Sequence, residues 1–133
     1  MSLIVDASVA VKWFAAEEGS ERAEALLEGE ELIAPDLIVA EVGNTMWKKF
    51  RKRWLTQTQV IAAIEQLPRY FSRMISTPDL APRAMELALL QDHPIYDCFY
   101  MALAERERLP IVTADERLLA AARKLGTVEA RPL

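Results

Sequence analysis

SLIVD, residues 2–6, decides how the rest of the chain is read. It is a short apolar run closed by an acid, and such a run reads as a buried strand. ELIAP (31–35) and PIVTAD (110–115) repeat the pattern. RMISTP (73–78) is a weaker strand candidate, and TVEARPL (127–133) is a terminal strand or tail. Helical segments fill the intervals: 8–18, 20–29 stopped by Gly29, a long helix over 36–53 with Asp36 as N-cap, and 56–67. Thr56 and Gln59 give the fourth of these a capping-box start. Three more follow at 79–92, with Pro82 tolerable only in its first turn, at 93–109, with Pro94 near its start, and at 116–126, ended by Gly126. No strand pair is joined by a hairpin turn signal. The pattern predicts a three-layer α/β/α sandwich around a central, mainly parallel sheet.

The bulk composition fits that architecture. A chain of 133 residues, 52% hydrophobic and 27% charged, predicts one domain over 1–133 with one real core. The single cysteine, Cys98, makes no internal disulfide, which argues for a reducing compartment or indifference to redox. Asp6 and Lys12 interrupt the apolar start, no basic leader precedes it, and no apolar run reaches the ~18 residues of a membrane span. The expectation is a soluble cytoplasmic protein with no membrane partner. The net charge of −4 argues weakly against nucleic acid, but local charge distribution decides that question.

Asp97 is the sharpest anomaly. It lies inside IYDCFYMALA (95–104), where a lone carboxylate is costly unless compensated. Three other acids occupy suggestive places. Asp6 and Asp115 close apolar strands, where open parallel sheets bind ligands, and Glu41 is crowded by Leu37, Ile38, Val39, Ala40 and Val42 on the long helix. Each has a bland explanation: Asp6 and Asp115 as helix caps, Asp97 as a favourable charge at a helix start, Glu41 as a solvated residue. Jointly they point to one pocket, where converged carboxylates need a cation among them. Oxygen-only ligation favours Mg2+ or Mn2+. With His93 the only histidine, a histidine-rich zinc site is excluded, and no glycine-rich phosphate loop occurs. Cys98 reads as an inert buried thiol, His93 as a helix-start residue, and Phe99 and Tyr100 as core. KKFRKRW (48–54) supplies a basic run with interleaved aromatics on the Glu41 helix; Lys48, Lys49, Arg51 and Lys52 are its candidate RNA contacts. A solvated helix face with inward aromatics explains it equally well.

IVDASVAVKWF, APDLIVAEVGNTMWK and IYDCFYMALAERERLPIVTADERLL together resemble the PIN-domain ribonucleases, in particular the VapC-type toxins of toxin–antitoxin pairs. The resemblance covers nearly the whole chain. It implies a metal-dependent endoribonuclease whose acidic site comprises Asp6, Glu41, Asp97 and Asp115, with Asp6 and Asp97 the first metal-ligand candidates and Asp115 the position where members vary most. Ser8 and Thr113 often accompany such acids. Cys98 stands where a small residue is common. The resemblance further implies an RNA substrate, a homodimer and a VapB-type antitoxin that wraps the toxin, with Trp13, Phe14 and Trp47 among residues that could form its surface. The alternatives are a housekeeping RNA-processing nuclease, a non-catalytic metal- or partner-binding module, and a phosphoryl-accepting receiver or phosphohydrolase. The last lacks support, since DAS carries one acid and PIVTAD no lysine.

Overall fold

The structure is a computed structural model that describes residues 1–133. Strand β1 (Ser2–Val5) leads into α1 (Ala7–Ala10), a 3-10 turn at Val11–Trp13, and α2 (Ser20–Gly29). Then come β2 (Glu31–Pro35), α3 (Leu37–Arg51), α4 (Gln57–Gln66), a 3-10 turn at Leu67–Tyr70, and β3 (Arg73–Ile75). The chain closes with α5 (Thr77–Gln91), α6 (Ile95–Glu107), β4 (Ile111–Thr113), α7 (Glu116–Leu125) and β5 (Ala130–Pro132).

The five strands form one sheet in the order β3-β2-β1-β4-β5, every pairing parallel. Its two faces follow from the alternation of side chains along a strand. Leu3, Val5, Leu32, Ala34 and Val112 pack with Val9, Ile38, Val42 and Met46 in one core cluster. Ile4, Ile33 and Ile111 point the other way and pack with Leu87, Met101, Leu103 and Leu118. Helices α1 to α4 thus cover one face and α5 to α7 the other. Each fully buried Leu or Ile contributes about 1.5–3 kcal/mol. No helix is long and apolar enough to cross a membrane.

The strand order positions the site. From β1 the chain steps outward to β2 and β3, then returns to β4 on the opposite side of β1. A parallel sheet opens a crevice at the carboxyl ends of its strands where the winding reverses. Here that place lies between β1 and β4, and the Val5–Val112 register puts Asp6 beside Thr113.

Local structure departs from expectation in several places. The segment 8–18 is helical only through Trp13. The Trp13 indole donates to the Ala23 carbonyl at 2.9 Å and its ring packs edge-on against Phe14 and Tyr70, so tertiary packing bends the chain away from a continued helix. Asp36 stands at the N-cap of α3 without capping it; its Oδ1 accepts instead from the Thr77 backbone N–H at 3.0 Å, tying the starts of α3 and α5 together. Pro78 opens α5 ahead of the expected start, so β3 ends at Ile75 and Pro82 lies inside the helix, beyond its first turn. Helices α3 and α6 are each trimmed at both ends, α6 ending where Arg108 turns left-handed. The α4 capping box is present: Thr56 Oγ1 accepts from the Gln59 N–H, and Gln59 Oε1 accepts from the Thr56 N–H. Thr56→Ala is expected to cost about 1 kcal/mol, read as a lower urea midpoint with unchanged slope.

Candidate active site

Asp6 follows β1 directly and is 5% exposed. It stands at the N-cap of α1 but makes no capping bond. Its oxygens are held by two hydroxyls instead: Ser8 Oγ donates to Oδ1 at 2.7 Å and Thr113 Oγ1 donates to Oδ2 at 2.9 Å. Both hydroxyls are themselves oriented. Ser8 Oγ accepts from the Ala114 N–H and Thr113 Oγ1 accepts from the Asp115 N–H, each at 2.9 Å. Those backbone donors turn both hydroxyl protons toward Asp6. Burial nevertheless pushes the Asp6 carboxyl up to about 7, against the two hydroxyls and with help from the charges of Asp115 and Glu41.

Glu41 reaches this crevice from the second turn of α3. Its Oε1 accepts from the Tyr100 hydroxyl at 2.7 Å. Desolvation raises its pKa above the ordinary carboxylate range, Tyr100 opposes that, and the charges of Asp97 and Asp115 add to it. Tyr100 is 1% exposed, and its hydroxyl is held well above the usual phenol range by burial and by Glu41 and Asp6. Asp115 caps α7, its Oδ1 accepting from the Arg117 N–H at 2.8 Å. The cap role therefore holds without removing Asp115 from the acidic group.

Asp97 finds one partner within the chain. It lies in the first turn of α6 with its side chain 21% exposed, and its Oδ2 stands 2.7 Å from His93 Nε2, one helical turn earlier. With Asp97 ionised, that bond needs the imidazole proton on Nε2. Two residues outside the expected set thus complete the site. The i, i+4 spacing of His93 and Asp97 was a readable signal; a buried tyrosine hydroxyl also demands a partner, which left only the identity of Tyr100's partner unread. Cys98 is fully buried, and burial with the charge of Asp97 pushes its thiol up to about 11, so it stays protonated and inert.

The four acids therefore share one electrostatic neighbourhood without a cation of the protein among them. No three carboxylate, imidazole or thiol groups lie close enough together here to hold a metal ion. Like charges favour separation until a cation offsets them. Asp97 Oδ1, Glu41 Oε2 and Asp115 Oδ2 are free of side-chain hydrogen bonds, so the donors fit a hard divalent cation by chemistry. Tyr100→Phe is expected to weaken Mg2+ binding about tenfold, measured by calorimetric titration, because Glu41 then loses the donor that favours its charged form.

The basic run divides. Lys49 pairs with Glu17 at 3.0 Å and is largely covered, so it is committed to the fold. Arg51 stacks over Trp47 at 5.0 Å and Lys52 over Trp54 at 4.7 Å. Trp47, Phe50 and Trp54 are exposed rather than turned inward. Lys48, Arg51 and Lys52 line a shallow surface pocket beyond the acidic crevice.

Residues 3–124 match the PIN domain family. Ribonuclease VapC3 of Pyrobaculum aerophilum is 35% identical over 121 residues, 89% of this chain and 92% of that protein. The fold matches VapBC2 from Rickettsia felis, solved bound to a DNA fragment from its promoter, with a TM-score of 0.70 at 12% identity over 100% of this chain and 99% of that one. It also matches Mycobacterium tuberculosis VapC20, a Sarcin-Ricin loop cleaving toxin, with a TM-score of 0.67 at 16% identity over 90% and 94% of the two chains.

Proposed function

The chain belongs to the PIN-domain family, and we propose that it is a metal-dependent endoribonuclease, the toxin of a VapBC-type toxin–antitoxin pair. One observation carries the reading: Asp6, buried at the sheet's switch point with both oxygens held by Ser8 and Thr113, shares one electrostatic neighbourhood with Glu41, Asp97 and Asp115. Four acids gathered with no cation of the protein among them suit a cation site.

Mg2+ or Mn2+ fits the oxygen donors. Asp6 and Asp97 are the direct ligands in this proposal, Glu41 binds directly or through water, and Asp115 orients the attacking water with its free oxygen. When bound, the ion lowers the pKa of a coordinated water and offsets charge on the scissile phosphate. Ser8 and Thr113 keep both Asp6 oxygens aimed, Tyr100 does the same for Glu41, and His93 for Asp97. Incubation with a mixed RNA pool should yield cleavage with Mg2+ or Mn2+ and none in EDTA. Intact RNA with both ions would remove the nuclease assignment.

A VapB-type antitoxin has a surface to occupy. A groove of about 390 Å3 between α3 and α4 is lined by Met46, Trp47, Phe50, Val60, Ile61 and Ile64, and its rim carries the basic end of α3. That chemistry suits an apolar helix with acidic flanks. Trp13 and Phe14 are half-buried and pack against Tyr70. For the homodimer, exposed Met85 and Leu89 on α5 offer an unpartnered apolar stripe.

A further inference from the structure

Beside the acidic crevice lies a second cleft, of about 400 Å3, which shares Thr113 and Asp115 with it and is closed on the far side by Gly19 and Arg22 of the α2 start. Lys12 also faces this cleft, as do the acids Glu18 and Glu116. The two cations are not equivalent. Lys12 Nζ is bound to Glu17 Oε1 at 3.1 Å and to the Glu18 carbonyl at 2.7 Å. The Arg22 guanidinium makes no ion pair and no hydrogen bond, although Glu18, Asp115 and Glu116 line the same cleft.

Gly19 lies against the exposed Arg22 side chain. Its φ is +88°, and a Cβ at that position would come within 3.5 Å of Arg22, 3.4 Å of Lys12 and 3.3 Å of Leu133. The left-handed φ favours glycine there, and the ends of three side chains pack around it at ordinary to slightly tight contact. A free guanidinium adjoins a crevice whose own acids repel polyanions.

Resting on the nuclease reading, we propose that Arg22 is a substrate-binding residue that holds the RNA backbone phosphate next to the scissile one. A guanidinium presents paired N–H donors that match a phosphodiester's two free oxygens. The strand then lies with one phosphate at the acids and its neighbour in the Arg22 cleft, and Lys12 adds positive potential beneath it. This contact supplies what the net charge of −4 lacks, at the point where the strand meets the site.

The test is binding of a short fluorescein-labelled single-stranded RNA in an Asp6→Asn background, which keeps the RNA intact. Adding Arg22→Ala should weaken binding about tenfold at low salt and lower the slope of log Kd against log salt by about 0.7. Arg22→Lys should keep the slope and lose part of the affinity. Arg123→Ala, at the opposite end of α7, serves as the control for overall charge and should leave affinity within about twofold. An unchanged slope for Arg22→Ala, or an equal loss in the Arg123 variant, overturns the subsite. Cleavage by the otherwise native protein is a separate measurement, so failure of the subsite and failure of the nuclease assignment are distinguishable.

Discussion

Asp6→Asn should reduce RNA cleavage at least about a thousandfold and should make the metal-free protein harder to unfold above pH 7. The first effect follows from losing a charged ligand at the centre of the acid group; a neutral amide of the same shape neither attracts the cation nor offsets its charge. The second follows from burial. Asp6 has an ordinary value of 3.8 and is pushed up to about 7 in the fold. A folded-state value raised above the unfolded one gives stability that is present below 3.8 and lost progressively as pH rises to about 7. A rise of about three pH units corresponds to roughly 4 kcal/mol. Asparagine has no charge to desolvate, although its amide nitrogen replaces one of the two oxygens that accept from Ser8 and Thr113, which offsets about 1–3 kcal/mol of the gain. The variant's melting temperature in EDTA should therefore exceed the native one by several degrees at pH 8, with the gap narrowing toward pH 4. Added Mg2+ should raise the native melting temperature and leave the variant's nearly unchanged. Full cleavage by the purified variant, or a variant less stable than the native protein at pH 8, would separate Asp6 from the role assigned here.

The opposed signs explain why the fold tolerates this residue. A carboxylate that costs stability in the metal-free chain is stabilised when a cation arrives, so stability and function conflict at Asp6. That conflict was legible in the amino-acid sequence at strand ends: SLIVD and PIVTAD each place an acid where a buried strand stops. The strands themselves were legible because a parallel strand covered on both faces has no polar alternation. What escaped was long-range. Glu41 and Tyr100 are 59 residues apart, and nothing local tells a buried tyrosine which acceptor the sheet will bring to it. Asp36 failed as a cap for the same reason: the Thr77 N–H, distant in sequence, competes for its carboxylate more effectively than its own helix does. The Trp13 segment lost its helix to aromatic partners at Phe14 and Tyr70, the second of which lies far along the chain. On α3 and in the turn after it, exposed Trp47 and Trp54 reverse the usual inward preference of aromatics, and their cationic partners Arg51 and Lys52 supply the compensation. Asp97 is a different case, because His93 lies one turn away. Apolar surroundings in the sequence suggested a buried, uncompensated charge, whereas the first turn of α6 opens toward solvent and an imidazole.

Thr113→Val should damage stability and cleavage together. The side chain is 1% exposed and does two jobs with one oxygen: it donates to Asp6 Oδ2 and accepts from the Asp115 N–H. Valine keeps the β-branched shape that β4 requires, so the core cluster barely changes and the loss is confined to hydrogen bonding. The orphaned N–H costs about 1–3 kcal/mol at any pH. The loss at Asp6 depends on pH. Thr113 is one of the two groups that lower its pKa, so removal raises it further, and the additional instability develops only as pH climbs through and above 7. Urea unfolding in EDTA should show the variant about 1–3 kcal/mol less stable at pH 5 and further destabilised at pH 8. Cleavage should fall about 10- to 100-fold, the range found when a metal ligand loses the group that orients it. Thr113→Ser should recover most of both, since the hydroxyl returns while only a methyl is lost. If serine failed to rescue cleavage but restored stability, the hydroxyl would be shown to serve the fold alone. If valine cleaved RNA at the native rate, Asp6 would not need to be held at Oδ2, and the coupling of the β4 end to the acidic site would be structural rather than catalytic.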